Sequence, residues 1–209
     1  MNVKACVVAA LLAASITPAL AGDFYVLGSV GRSSMKDNSK SNADAVLAAA
    51  GFRNISSSLD TTDTGYKLQL GYQYNPNFAV EAGYVDLGKE KYSATYTGGS
   101  ASATAKAAGW NIAAVGIVPL NDQFSLFGKL GLIDAKVETS GTVSLGAASA
   151  SANASATKWK PNYGIGATYN FTKTVGMRAE YERFQKLGDS NTTGESNVDL
   201  LSLGVVVKF

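Results

Sequence analysis

From Asp23 onward the chain repeats one pattern, and that pattern most limits what it can fold into. Segments of roughly 10–14 residues alternate apolar and polar side chains, joined by connections that are short, then long, then short. A period of two puts successive side chains on opposite faces of a strand. The three short connections contain Asn75-Pro76-Asn77, Asn121-Asp122-Gln123 and Phe171-Thr172-Lys173, all with turn chemistry. They recur about every 46 to 51 residues, the length of one complete up-and-down excursion. Eight segments lie between these marks, at about 22–32, 63–75, 78–88, 107–119, 123–137, 158–171, 174–185 and 198–209.

The N-terminus says where such strands would live. Lys4 precedes an apolar run from Ala5 to Ala14, then Pro18 and the small-residue pattern Ala19-Leu20-Ala21. This reads as a Sec signal peptide over residues 1–21, cleaved before Gly22. The run falls short of the roughly 20 apolar residues of a membrane-spanning helix, and no second run of that length follows. A membrane form therefore has to be a closed barrel, the other way to satisfy every backbone group in lipid. The expected fold is an all-β, eight-stranded antiparallel up-and-down transmembrane β-barrel over residues 22–209, with even strand number, short turns at one end and long loops at the other.

Alternation then assigns faces. In the second segment Tyr66, Leu68, Leu70, Tyr72 and Tyr74 share one side, and Lys67, Gln69, Gly71 and Gln73 the other. The polar set is regular and glycine-rich, so it is placed toward the lumen, with Tyr66, Tyr72, Tyr74 and Tyr84 at the membrane interfaces. In the closing stretch Leu203, Val205, Val207 and Phe209 face lipid while Ser202 and Gly204 face the lumen. Both faces of Trp110 to Leu120 are apolar or small, and its register stays unassigned. The ends of the sheet meet if Val198 to Phe209 pairs with Asp23 to Arg32.

The strings Y-K-L-Q-L-G-Y-Q-Y-N-P-N-F-A-V-E-A-G-Y-V-D-L-G and P-N-Y-G-I-G-A-T-Y-N-F-T-K-T-V-G-M-R-A-E-Y-E-R-F, with the final Phe209, resemble the hairpins of OmpA-like eight-stranded outer-membrane domains. The resemblance covers essentially all of Gly22 to Phe209. It implies residence in the bacterial outer membrane, among lipid and lipopolysaccharide, after handling by periplasmic chaperones and the assembly machinery. It also implies that Phe209 is part of the signal that machinery reads. OmpA continues into a peptidoglycan-binding domain where this sequence ends, so cell-wall anchoring is not carried over.

Six charged residues fall on the inward face: Lys67, Glu81, Lys129, Arg178, Glu180 and Glu182. Counted from the nearest short turn, Glu81 and Arg178 lie about four residues up, Lys129 and Glu180 about six, and Lys67 and Glu182 about eight. Opposite charges thus sit at matching depths. Eight strands enclose a space that side chains fill, and ions confined there must be paired or hydrated. A salt-bridged polar plug is the expectation, and a gated narrow pore the alternative.

The first long connection, Ser33 to Thr62, either carries a short helix that Asn42 could cap and Gly51 could end, with Val46, Leu47 and Phe52 available to cover the barrel mouth, or is a mobile loop with incidental helix propensity. Two later connections, Tyr92 to Thr104 and Gly146 to Thr157, alternate Ser with Ala and either extend the hairpins as strands or stay flexible. They face outward and are candidates for an extracellular ligand.

The chemistry on offer is narrow. The chain has 18 Lys plus Arg, 16 Asp plus Glu, one Cys and no His. Its net charge of +2 and lack of a basic run give no footprint for nucleic acid. Without His, a mature cysteine, a metal-ligand cluster or a phosphate loop, no catalytic, metal or cofactor residue is assigned. The function expected is therefore a structural or surface-interacting outer-membrane barrel. The alternatives are a narrow passive, porin-like pore for small solutes or apolar molecules, and a soluble lipocalin-type carrier, which the charges at Lys67, Glu81 and Arg178 disfavour.

Overall fold

A computed structural model describes residues 23–36 and 39–209 of the chain. The segment read as a signal peptide, residues 1–21, lies outside the described residues. The elements are β1 (Asp23–Lys36), α1 (Ser39–Ala49), β2 (Ser56–Asp60), β3 (Thr62–Asn75), β4 (Phe78–Tyr96), β5 (Gly99–Pro119), β6 (Phe124–Leu145), β7 (Ala148–Asn170), β8 (Val175–Asp189) and β9 (Gly194–Lys208). Among the described residues no helix is long and apolar enough to cross a membrane.

All pairings are antiparallel. Eight strands close a ring in the order β1, β3, β4, β5, β6, β7, β8, β9 and back to β1. The seam runs from Tyr25↔Lys208 to Lys36↔Asn197, and a last bond from the Phe209 amide to the Phe24 carbonyl (2.9 Å) finishes it. A closed ring leaves no edge within the membrane. The ninth strand, β2, is outside the ring. It pairs with Lys91–Thr95 of β4, above the part of β4 that pairs with β3.

Alternation decides what each face meets. Leu68, Leu70, Val80, Ile112, Leu130, Leu132, Ile165, Leu201, Leu203 and Val205 are exposed, an apolar belt that only lipid can cover. Aromatic rings border it. Tyr66, Tyr84, Trp110 and Trp159 stand on the outer rim, with Tyr84 and Trp110 edge to face at 5.5 Å. Tyr74, Phe78, Tyr169, Phe171 and Phe209 stand on the rim of the short turns. The belt also resolves the strand whose register the pattern left open: Trp110, Ile112 and Val118 are exposed, and Asn111, Ala113 and Val115 are buried in the lumen.

Strand length is uneven. β4 to β7 contain 19, 21, 22 and 23 residues, against 14 or 15 for β1, β3, β8 and β9. The Ser/Ala-rich connections are therefore strands, joined by the two-residue turns Thr97-Gly98 and Gly146-Ala147. They build a wall on one side of the barrel beyond the aromatic rim. The segments expected at 107–119, 123–137 and 158–171 are the lower parts of these longer strands. Small side chains carry no signal that distinguishes a membrane-spanning half from an aqueous one.

The helix stands against the concave side of that wall. Because α1 begins at Ser39, Asn42 lies inside it and is not its cap. Its end does fall at Gly51, at φ +89°, with the Phe52 amide bonding the Leu47 carbonyl (3.2 Å) and the Gly51 amide that of Ala48 (3.0 Å). This is the paired bonding of a left-handed helix stop. Leu47 packs with Tyr92, Ala94, Tyr96 and Ala101, and the Phe52 ring lies 4.2 Å from that of Tyr96. Val46 faces solvent at 68% exposure, so it covers nothing.

Candidate functional site

The lumen is filled in three layers. Nearest the short turns, Tyr25, Leu27, Ala79, Val115, Phe127 and Val206 form one buried apolar cluster. Toward the outer rim, Met35, Val85, Leu87, Ile133, Phe184, Val198 and Leu200 belong to a second. Lys67, Glu81, Lys129, Arg178, Glu180 and Glu182 lie between them, each at most 5% exposed.

Lys129 on β6 is the hub. Its Nζ lies 2.9 Å from Glu81 Oε2, 2.7 Å from Glu180 Oε1 and 3.2 Å from Glu182 Oε1. The first two contacts are ion pairs by distance, without the angle of a hydrogen bond. Lys67 on β3 donates to Glu180 Oε2 at 2.7 Å and also to Glu182. Arg178 donates to Glu81. All three equal-depth pairs are in contact, and Lys129 further links Glu81 to the β8 carboxylates. Three cations meet three anions, so the buried set is formally neutral.

Around the ions stands a polar collar. Tyr25 Oη donates to Glu81 Oε1 at 2.6 Å. Asn111 donates to Asn162 Oδ1 at 2.8 Å, and Asn162 faces Glu182 Oε1 at 3.4 Å. Arg178 Nε reaches Thr168 Oγ1 at 3.3 Å. Tyr25 and Asn162 donate to carboxylate oxygens and Thr168 accepts from the guanidinium, polar partners of the kind ions out of water require.

The Arg178 guanidinium also sits between two rings, 5.6 Å from the centre of Tyr25 and 4.5 Å from that of Phe127. Two glycines make room for this sandwich. A Cβ at Gly71 would stand 2.1 Å from the Tyr25 ring, and one at Gly166 would stand 2.4 Å from the Phe127 ring. The Gly164-Ile165-Gly166 stretch is thus a close-approach site. Tyr25, Asn111, Asn162 and Thr168 were absent from the charged set read from the sequence. Inward parity was the signal that could have found them, once the register of β5 was known.

Among the described residues, cavities open on the lumen at both ends. An outer cup of about 610 Å³ is lined by residues such as Met35, Glu90, Val137, Leu187 and Val198, and a cleft of about 250 Å³ at the short-turn end lies below Tyr25, Phe127 and Arg178. They share no lining residue, and the charged layer with its apolar neighbours separates them.

The description "OmpA-like transmembrane domain" matches residues 19–209. The chain belongs to this family. It is a bacterial outer-membrane β-barrel protein. Outer membrane protein A of Salmonella typhi is 31% identical over 140 residues, which is 66% of this chain and 38% of that protein. The Klebsiella pneumoniae protein of the same name is 28% identical over 160 residues, covering 76% of this chain and 45% of that one. The chain thus spans less than half the length of these relatives. Among solved structures, Ail, the attachment invasion locus protein of Yersinia pestis, matches with a TM-score of 0.51 at 17% identity, over 91% of this chain and 100% of Ail. At that identity the likeness shows the fold alone.

Proposed function

We propose that this barrel is a closed structural element of the outer membrane that holds an extracellular sheet for surface contact. The layered lumen is the observation that carries this reading. Ions that face one another and a collar of uncharged polar side chains, under one apolar layer and over another, offer no continuous wetted path. The six charges Lys67, Glu81, Lys129, Arg178, Glu180 and Glu182 serve to fill and fix the lumen. No enzymatic role is assigned, since each carboxylate among them is engaged by a lysine or arginine. Residues 1–21 serve export and are removed, and Phe209 serves recognition by the assembly machinery.

The partners follow from position. The apolar belt meets lipid, and the flanking rim meets lipopolysaccharide. Ail has been crystallised with the heparin analogue sucrose octasulfate. In this chain four of the lysines near the outer rim are ion-paired: Lys106 with Asp86 (3.5 Å), Lys136 with Glu138 (2.6 Å), Lys158 with Asp189 (3.1 Å) and Lys160 with Glu195 (2.7 Å).

Planar-bilayer recording tests the closed lumen. Wild-type protein is expected to give no discrete openings, and liposomes containing it no size-dependent swelling with small sugars. Steady solute-dependent conductance from the wild-type barrel would replace this reading with the narrow pore.

A further inference from the structure

Beyond the aromatic rim the barrel wall is incomplete on one side. β7 pairs with β8 only from Asn162↔Phe184 to Asn170↔Gly176, yet stays paired with β6 without a register shift as far as Leu145↔Ala148. Residues 148–161 therefore have one edge in a ladder and the other with no strand paired to it among the described residues.

Which groups face that edge follows from bonds at the other end of the strand. The Asn170 amide donates toward β6, to Gln123 O at 2.8 Å, and the Phe171 amide donates toward β8, to Val175 O at 3.0 Å. With no bulge between, even-numbered residues of β7 turn their N–H and C=O to β6 and odd-numbered ones away from it. Ser149, Ser151, Asn153, Ser155 and Thr157 thus present both groups to the open edge. Pro161 falls on the same side, where its missing N–H takes nothing from the β6 ladder.

Exposed edges are ordinarily blunted by charge, proline, bulges or shortness. This one is long, and no charged residue occurs from Thr139 to Thr157. Its sequence is also symmetric. Turned end for end about Asn153, Ser149 faces Thr157, Ser151 faces Ser155, Ala150 faces Ala156 and Ala152 faces Ala154. Polar side chains then meet polar ones on the outer face, methyls meet methyls on the inner face, and no charges are opposed.

We propose that the outer half of β7 pairs antiparallel with the same strand of a second copy of this chain, about a two-fold axis at Asn153. β7 runs from the outside toward the membrane in every copy. Two copies in one membrane would present tilted strands of the same sense, which cross and cannot form a two-fold antiparallel ladder. Copies on apposed membranes present opposite senses. The contact is therefore between two surfaces, made by strand addition to an open sheet. It rests on the extracellular sheet being the contact surface, and the conductance experiment tests the lumen independently.

Single cysteines read the register. In a Cys6→Ser background, barrels in separate vesicle populations are mixed and mildly oxidised. Across an antiparallel pair the Cα atoms stand about 5.5 Å apart, within disulfide reach. Asn153→Cys vesicles are expected to form intermolecular disulfides in most of the accessible protein. Ser149→Cys vesicles alone should give at least several-fold less, because position 149 lies about 27 Å from its own copy in this register. Mixing Ser149→Cys with Thr157→Cys should restore the dimer. Equal cross-linking of Ser149→Cys alone and Asn153→Cys, or none in either, overturns the proposal. A second arm follows vesicle clustering by light scattering. Ser151→Pro removes an edge N–H while leaving the β6 ladder whole, and Asn153→Lys opposes like charges on the axis. Both are expected to reduce clustering several-fold with the folded gel mobility unchanged, and undiminished clustering in either folded variant overturns the proposal.

Discussion

Arg178 is held by a carboxylate, a hydroxyl and two aromatic faces at once, so its replacement separates charge balance from packing. Arg178→Met keeps much of the side-chain volume but leaves three anions facing two cations. Glu81 would keep Lys129 at 2.9 Å and Tyr25 at 2.6 Å, so the barrel still folds. Breaking one partner of a buried pair typically costs roughly 3–5 kcal/mol, and these remaining contacts put the loss near the lower figure. Adding Glu81→Gln restores neutrality and is expected to recover most of it. Urea unfolding of the two variants in lipid vesicles gives the comparison. A double variant no more stable than Arg178→Met would show that Arg178 acts by packing alone. At this scale the sequence was informative about ions and poor about their collar. Alternation states which face a residue occupies and roughly how deep, which put Lys67, Glu81, Lys129 and the three β8 charges on the inward face in oppositely charged pairs at three successive depths. It does not contain the shear between strands, so the reach of Lys129 to Glu81 was invisible, and so was Asn111 on a strand with two apolar faces.

At the scale of elements, the polar attachment of α1 centres on one carboxylate. Asp44 accepts hydrogen bonds from Tyr92 Oη (2.5 Å) and Ser57 Oγ (2.8 Å), which tie the helix to β4 and β2, and from Lys40 Nζ (3.0 Å) on the helix itself. The Tyr92 bond, then Ser57 and Lys40, lower its pKa from 3.8 to about 2. A depressed acid stabilises the docked form above its unfolded value and ceases to do so as pH falls through the folded one. Docking of α1 is therefore expected to be constant above about pH 4 and to weaken from there toward pH 2. Tyr92 sets the opposite limit. Burial first, and then the hydrogen bond to Asp44, push its phenol up to about 12, so docking holds below pH 10 and loosens as pH rises through 12. Hydrogen exchange of the helix amides between pH 5 and pH 2, corrected for intrinsic rates, checks the acid side, and Asp44→Asn should abolish that dependence. The helix was one of two readings of its stretch: Gly51 marked the stop, but the start was misplaced, because an asparagine in the first turn resembles a cap. The Ser/Ala strands were ambiguous for a different reason: their side chains are too small to mark a buried face.

On the scale of the whole molecule, closure depends on a seam between the first and last strands made. β1 and β9 are separated by almost the whole chain, so their pairing is the longest-range contact in the fold and the slowest to form. Until it forms, both strands expose an apolar face and an open edge in the same intermediate. Phe209 ends this seam. Its amide bonds Phe24 O, and its ring stands partly exposed on the rim of the short turns, where Phe24 and Tyr72 are 4.9 Å apart. Removing it deletes one ladder bond of a closed barrel, an equilibrium loss of about 1 kcal/mol. A residue needed only for stability would lower assembly in proportion to that small loss. A residue that the assembly machinery must grip before the seam closes would lower assembly far more. Deletion of Phe209 is therefore expected to leave refolded protein in vesicles close to wild type, by urea midpoint and gel mobility. In cells it should cut the folded, outer-membrane fraction severalfold and leave unfolded chain in the periplasm. Equal yields in the two settings would reduce Phe209 to the last bond of the ring, and leave the start of closure to the strand pairing of β1 with β9.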